Sequence, residues 1–546
     1  MKPRSRFPFL QCERRSARWK TWRAIALVFV SATLVTSCRS LDTSRISDWI
    51  LLALRSEQTD EVAHAILEIQ NANPDPDWVA AQLRQGLSYI DAESGWAVHY
   101  RMCTDGRKRA FHVYVPPGYD PAIPSAVLFD LHGGRMGEPT PPQEHYAGRT
   151  IWQPSADKLD LILIYPQGDA GATWFDDVGQ ENLLGQFAYV KRNYNIDENR
   201  VFMSGYSAGG AGTMWQAFHH PTPWAGFLVF SGYYDVGGMG RYPVFARNLL
   251  NRSFHATSGL YDGAIPIETV EPFVTQYQAM GIDFSWQIYP VAHNVSFVNW
   301  ERPRTERFLT EIVRNPLRTH VVWETASPET GRCDWVRIDE IEDVGNNASF
   351  PEMSVFLEPD SSDFGVALAY QSDGTYRVAG VRYGSIAQQL GIESGDRIAA
   401  IDGKPVRTAT EMDAAVLARQ PGESIEVEAI RAGDTRVLVG SIPRGESAYS
   451  AANINGTIEV SSVGNRIDVR VRHVAQFTLF LSSEQFNLSQ PLEVYVNEQI
   501  VFDDAVQPDL RFMLEQAVVD LDRETVYEAV VTLAVPADSK AGHNVP

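Results

Sequence analysis

Val201-Phe202-Met203-Ser204-Gly205-Tyr206-Ser207-Ala208-Gly209-Gly210 runs an apolar strand straight into a serine held between glycines. The residues from Ala208 to Phe218 then read as a helix. Gly205-Tyr206-Ser207-Ala208-Gly209 is the sole Gly-x-Ser-x-Gly in the chain, and such a pentapeptide alone is a weak signal. Its position between strand and helix gives it weight. Glycines two before and two after the serine permit a tight turn and close packing of helix on strand. The hydroxyl of Ser207 then projects from the C-terminal edge of a sheet, with a helix N-terminus directed at it.

The surroundings supply that sheet. Apolar strand-like runs stand at Phe111–Val115, Ala126–Leu131, Leu161–Tyr165, Val201–Ser204, Gly226–Phe230, Ser253–Ser258 and Phe284–Tyr289. Helical stretches such as Asn182–Asn193 and Ile267–Met280 lie between them. The alternation predicts an α/β domain over residues 97–317, doubly wound around a mostly parallel sheet.

An unactivated serine is a poor nucleophile, so a base and an orienting acid must follow it. In a fold of this kind their chain order is serine, acid, histidine. Asp262 follows the strand Ser253–Ser258 and His293 follows Phe284–Tyr289, where a carboxylate and an imidazole can meet over Ser207. Asp235 is the rival acid, while His219, His220 and His255 read as structural or exposed. Negative charge developing on a substrate oxygen needs backbone N–H donors. Ala208 offers one, and His132-Gly133-Gly134 after the strand Ala126–Leu131 offers a second at Gly133 or Gly134.

With these residues in view, residues 97–315 resemble the esterase branch of the α/β-hydrolases that includes polyhydroxybutyrate depolymerases and feruloyl esterases. The matching stretches are Val113-Tyr114-Val115-Pro116-Pro117-Gly118-Tyr119, Leu131-His132-Gly133-Gly134, Asn195-Ile196-Asp197-Glu198-Asn199-Arg200-Val201 and the turn through Gly210. The domain is also similar to the catalytic part of prolyl-oligopeptidase-like proteins, although no propeller-length segment precedes it. The resemblance implies that Ser207, Asp262 and His293 form the catalytic triad. Arg135 departs from the family pattern, which leaves the second oxyanion donor open.

A second module interrupts the C-terminal half. Gly384-Ser385-Ile386-Ala387-Gln388-Gln389-Leu390-Gly391-Ile392, Ser394-Gly395-Asp396-Arg397-Ile398 and Ile401-Asp402-Gly403-Lys404-Pro405-Val406 resemble a bacterial PDZ domain. Thr408-Ala409-Thr410-Glu411 then opens a helix as a capping box. The resemblance implies capture of a polypeptide C-terminus by strand addition, with Phe364-Gly365-Val366 as the carboxylate loop; the alternative is a PDZ fold kept only for packing. Thr457–Ser461, Arg466–Val471, Phe477–Leu481, Leu492–Val496 and Ala529–Leu533 read as strands, as do His320–Glu324 and Trp335–Ile338. These flanks, too short separately for two packed sheets, read as an all-β accessory domain split by the PDZ module.

The N-terminus reads as an export segment. Basic residues end at Arg23, an apolar run of about ten residues follows, and Leu34-Val35-Thr36-Ser37-Cys38 resembles a bacterial lipobox. Lipidation of Cys38 would anchor an exported chain to a membrane, facing the periplasm or the cell exterior; an uncleaved anchor helix is the alternative. The resulting division is signal 1–37, helical segment 38–96, catalytic domain 97–317, β region 318–351, PDZ 352–445, β region 446–536 and tail 537–546. The net charge of −21 becomes about −28 without the signal, which argues against a nucleic-acid partner. Of four cysteines, only Cys103 and Cys333 remain after Cys12 and Cys38 are set aside, and they read as separate buried thiols. No cysteine or histidine pair has metal-ligand spacing, and no cofactor is called for. Three functions are carried forward: a serine esterase acting on small esters, a serine peptidase with the same triad, and a membrane-tethered interaction protein whose hydrolase fold is incidental.

Overall fold

The computed structural model describes residues 43–537, apart from 90, 135–150, 170, 358–363, 372–374, 382–384, 420–421, 443–445 and 450–453. The signal segment, Cys38, Arg135, Gly384 and nearly all of the tail lie outside the described residues. Among the described residues no helix is long and apolar enough to cross a membrane.

Three helices come first: α1 (Thr43–Arg55), α2 (Thr59–Ala72) and α3 (Pro76–Gln85). Ile46, Ile50 and Leu54 bury one stripe of α1 against Ile66 and Ile69 of α2 and Val79 and Leu83 of α3. Asp75 caps α3 by accepting from the Asp77 N–H, and Pro76 sits at its first turn.

The catalytic-domain sheet then forms from β1 (Gly95–Met102), β2 (Lys108–Val115), β3 (Ser125–Leu131), β4 (Ile162–Pro166), β5 (Ile196–Tyr206), β6 (Gly226–Phe230), β7 (Ser253–Gly259) and β8 (Phe284–Tyr289). Its order is β1-β2-β4-β3-β5-β6-β7-β8, parallel from β4 through β8 and antiparallel at β1-β2 and β2-β4. Helices α4 (Gln153–Leu159), α5 (Asp177–Asn193), α6 (Ala208–His219), α7 (Ile267–Ala279) and α8 (Val298–Glu311) complete the domain. Two apolar clusters account for the uninterrupted apolar character of the central strands: Phe129, Met203 and Phe227 belong to one, Leu128, Phe202 and Leu228 to the other.

Beyond α8 come β9 (His320–Thr325), β10 (Arg332–Cys333) and β11 (Val336–Ile341). The PDZ insertion follows: β12 (Phe356–Leu357), β13 (Val366–Tyr370), β14 (Tyr376–Val381), α9 (Ile386–Gln389), β15 (Arg397–Ile401), β16 (Lys404–Pro405), α10 (Ala409–Leu417), β17 (Ser424–Arg431), β18 (Asp434–Ser441) and β19 (Glu446–Ser447). The chain ends with β20 (Gly456–Val463), β21 (Arg466–Arg472), β22 (Val474–Leu481), β23 (Leu492–Val496), β24 (Gln499–Asp504), α11 (Leu510–Asp520) and β25 (Ala529–Ala534).

The two β flanks build one sandwich. Its sheets are β24-β23-β21-β20-β9 and β10-β11-β22-β25, so each draws strands from both sides of the insertion. Trp323 and Trp335 from the first flank share one buried core with Val469, Phe477 and Val494 from the second. The free edge of β9 is occupied by amide side chains of the catalytic domain. Asn248 accepts from the Glu324 N–H at 2.8 Å and donates to its carbonyl at 2.9 Å, while Asn251 donates to the Val322 carbonyl at 2.6 Å. Those side chains do the work of a neighbouring strand. Helix α11 is an element the strand reading passes over; capped by Asp509, it packs Met513 and Leu514 against α1, α2 and α3.

The PDZ module stands on a two-strand stem in which Phe356 pairs with Ser447 and Leu357 with Glu446. Gln276 of α7 clasps the stem, donating to the Phe356 carbonyl and accepting from its N–H, both at 2.9 Å. Just outside the stem, Val355 and Tyr449 are buried in the core of the catalytic domain. The Tyr449 hydroxyl donates to the Tyr234 carbonyl at 2.7 Å and contacts the Tyr277 hydroxyl. Cys103 and Cys333 are free and buried.

Candidate active site

β5 ends at Tyr206 and α6 begins at Ala208, leaving Ser207 alone at the turn with φ 58° and ψ −120°. A non-glycine residue held there costs of order 1–3 kcal/mol, so its surroundings must impose the shape. The Ser207 N–H donates to the Phe230 carbonyl of β6 at 2.9 Å, and its own carbonyl starts α6 by accepting from Ala211. At Gly209 a Cβ would stand 1.9 Å from the Leu131 carbonyl oxygen, so only glycine lets α6 lie this close to β3.

His293 reaches the serine from beyond β8. Its Nε2 lies 3.0 Å from Ser207 Oγ and its Nδ1 2.7 Å from Asp262 Oδ2. The other carboxylate oxygen accepts from the Ala264 and Ile265 N–H groups, each at 2.9 Å. Asp262 is buried and can only accept, so it fixes the proton on Nδ1 and leaves Nε2 free to accept from the hydroxyl. The meeting of acid and base follows from the sheet. The β7–β8 pairing continues past the strand ends, with the Leu260 N–H on the Tyr289 carbonyl at 2.7 Å and the Tyr261 N–H on Val291 at 2.9 Å. Asp235 is exposed on the loop after β6 and accepts from the Gly237 N–H, whereas the His293 ring is held by Asp262. His255 is paired with Ser285 and Glu301, and His219 lies buried between the Trp215 and Pro243 carbonyls.

The His132-Gly133-Gly134 turn lies against the serine turn: a Cβ on Gly133 would be 2.8 Å from the Tyr206 carbonyl oxygen and 3.0 Å from Ser207 Cβ. His132 accepts from the Gly168 N–H through Nε2 at 3.0 Å, which leaves Nδ1 to donate to the Gly133 carbonyl at 2.9 Å. Burial holds its pKa below the ordinary histidine value, consistent with this neutral form. Trp174 Nε1 donates to the His132 carbonyl at 3.3 Å. With both carbonyls tied back, the N–H groups of Gly133 and Gly134 point the opposite way across their trans peptide planes. Ala208 opens α6, so its N–H is among those the helix leaves without an internal partner.

Three participants were not singled out from the sequence. Tyr206, the unspecified second residue of the pentapeptide, packs its ring on His293 at 5.0 Å between centroids. Burial, with the Asp262 charge, raises its hydroxyl to a pKa of about 12. His132 and Trp174 hold the glycine turn; an aromatic between β4 and α5 carries no sequence signal that would assign it there. Among the described residues no group of three or more histidine, cysteine, aspartate or glutamate side chains is placed to hold a metal ion.

In the PDZ module, Phe364 is buried in the core, Gly365 has φ 85°, and Val366 opens β13. A Cβ at Gly365 would stand 2.1 Å from Ser385 Cβ, so the loop admits no side chain there. Thr408 and Glu411 form both halves of the capping box at α10.

The sheet order, the serine turn after β5 and the Ser207–His293–Asp262 hydrogen-bond line have the arrangement of the α/β-hydrolase fold. The chain also carries a PDZ domain: the PDZ family profile matches residues 353–430. The chain is 30% identical over 180 residues to a bifunctional acetylxylan esterase/xylanase of Neocallimastix patriciarum, covering 32% of this chain and 24% of that protein. It is also 30% identical over 113 residues to the tight junction protein ZO-3 of Mus musculus, covering 20% of this chain and 12% of the relative. The chain thus spans about a quarter or less of the length of these curated relatives. A solved thermostable esterase aligns at 19% identity and TM-score 0.35 over 40% of this chain and 63% of its own. A ferulic acid esterase aligns at 15% identity and TM-score 0.34 over 40% of this chain and 99% of its own.

Proposed function

We propose that this protein hydrolyses carboxylic esters through an acyl-enzyme on Ser207. The observation that carries this reading is the unbroken hydrogen-bond line from Ser207 Oγ through His293 to the buried, doubly anchored Asp262. His293 Nε2 takes the hydroxyl proton as Oγ attacks the ester carbonyl carbon, and Asp262 stabilises the imidazolium that forms. The oxyanion is met by the Ala208 N–H and by Gly133 or Gly134, each donor typically worth ~3–4 kcal/mol in the transition state. His293 returns the proton to the leaving alcohol, and water cleaves the acyl-enzyme by the same route. Every proton and charge in this sequence is handled by a named protein group.

Likeness to a protein named for acetylxylan esterase activity supports ester over peptide as the substrate. The PDZ module recruits polypeptide along β13, and Cys38 carries the lipid that tethers the exported chain to a membrane. Labelling with a fluorophosphonate, in wild type and Ser207→Ala, followed by a panel of esters and peptides, tests the reading. A folded wild type that takes no label, or takes it away from Ser207, overturns the nucleophile. Turnover of peptides but not esters overturns the substrate class.

A further inference from the structure

We propose that the PDZ groove takes an internal extended segment of polypeptide and discriminates against a free C-terminal carboxylate. This rests on the reading that the module recruits polypeptide. β13 pairs with β14 along one edge and, among the described residues, with no strand along the other. α10 lies beside β13, and Met412 and Val416 from α10 share a core with the half-buried Val366 and Leu368 of β13. A segment added to that edge gains main-chain hydrogen bonds.

Capture of a free terminus needs more: loop N–H groups must converge on one anion. Here the first of them is already held. The Phe364 N–H donates to Asp413 Oδ1 at 2.8 Å. Asp413 comes from the second turn of α10, a helix whose start is fixed by its capping box, so this carboxylate is presented by a rigid element. It occupies the donor that an incoming terminal carboxylate would use, and it leaves a fixed negative charge beside the loop. Two carboxylates sharing one site repel. Gly365 cannot be rebuilt to widen the loop, since any side chain would strike Ser385. An internal segment presents a neutral peptide group at the same place, which the Asp413 charge does not repel and whose own N–H can donate to that carboxylate. Charge therefore selects the occupant.

The experiment offers immobilised full-length protein an equimolar mixture of two randomised nonapeptide pools, identical except that one ends in a carboxylate and the other in a carboxamide. Captured peptides are counted by mass spectrometry for wild type, Asp413→Asn and Asp413→Ala. Asparagine keeps an acceptor for the Phe364 N–H without the charge, so the reading survives if the alanine variant fails to fold. The carboxylate-to-carboxamide ratio should be below one in wild type and rise at least tenfold in a folded Asp413 variant. A wild-type ratio of one or more, or ratios unmoved in the variants, overturns the inference while leaving peptide recruitment standing. Capture of neither pool by any variant removes the recruitment reading and this inference with it.

Discussion

Asp262→Asn offers the sharpest test of the proposed mechanism because the structure dictates how the amide must sit. The side-chain position facing Ala264 and Ile265 must accept two N–H groups, each at 2.9 Å. A flipped amide would lose both bonds and set N–H against N–H, at about 1–3 kcal/mol for each unmade buried bond. The oxygen therefore stays on that side and the NH2 group faces His293 Nδ1, where Asp262 Oδ2 now accepts at 2.7 Å. Nδ1 must then become an acceptor, the proton moves to Nε2, and Nε2 can no longer take the Ser207 proton. The expected loss in kcat is about 10⁴-fold, with KM little changed, the magnitude known for this substitution in a serine protease triad. That is about 5.5 kcal/mol of transition-state stabilisation. Because the two backbone bonds survive, the thermal midpoint should stay within about 2 °C of wild type, which for a cooperative unit of roughly 220 residues is under ~1 kcal/mol. Stopped-flow acylation with p-nitrophenyl acetate reads the rate, and differential scanning fluorimetry reads the fold. Retention of more than a tenth of the wild-type rate by a folded Asp262→Asn protein would refute the tautomer argument. The same result with a large loss in Asp235→Asn would move the acid to Asp235.

Further outcomes follow from other parts of the molecule. Tyr449→Phe strips the buried hydroxyl that serves the Tyr234 carbonyl and the Tyr277 hydroxyl, so stability should fall by about 1–3 kcal/mol, read as a lower denaturant midpoint. Burial alone would raise the Asp522 carboxyl, but Arg314 and Lys191 outweigh it and hold its pKa below the ordinary value. Its stabilisation is therefore complete above about pH 4 and is lost as pH falls further; Asp522→Asn should flatten that acid limb in urea titrations below pH 4. Cys38→Ser should release the chain from membrane fractions or leave an unprocessed precursor. A soluble wild type with its N-terminus elsewhere than Cys38 would end the anchoring proposal.

Much of the catalytic domain was legible because its information is local. Val201–Ser207 carries strand, turn and proposed nucleophile in consecutive residues, and Thr408 with Glu411 announces a helix start within four. What stayed hidden is non-local. Nothing in the run His320–Glu324 says that it pairs with a strand beyond residue 455, or that Asn248 and Asn251 will fill its other edge. The choice between Asp235 and Asp262 was open for the same reason. Asp262 is brought to His293 by the Leu260 and Tyr261 N–H groups, which zip its loop onto residues 289–291, and such bonds leave no periodicity in the sequence. Helix α11 is the exception, a local signal passed over among strands: Asp509 caps it, and Met513, Leu514 and Ala517 bury one face.

The stem of the PDZ insertion shows why module boundaries read from sequence can mislead an experiment. The family match begins at residue 353 and the sequence reading ends the module at 445, so a cut at 352 and 445 would look clean. Yet Val355 is part of the hydrolase core, and Phe356 is clasped by Gln276 of α7 through both its N–H and its carbonyl. On the return path Tyr449 reaches Tyr234, in the loop directly after β6, whose last residue Phe230 accepts the Ser207 N–H. Tyr233 in that loop donates to the Ala264 carbonyl at 3.1 Å, and the Ala264 N–H in turn orients Asp262. The root of the insertion is therefore physically part of the catalytic domain, while the groove between β13 and α10 lies beyond the stem. A deletion that respects this keeps 352–357 and 446–449 and removes only what lies between them. Small-ester turnover by that protein should match wild type within about twofold, since uniform recruitment of a tethered partner acts on apparent affinity and not on the chemical step. Loss of turnover in a folded protein cut in this way would mean that the module beyond its stem takes part in the active site.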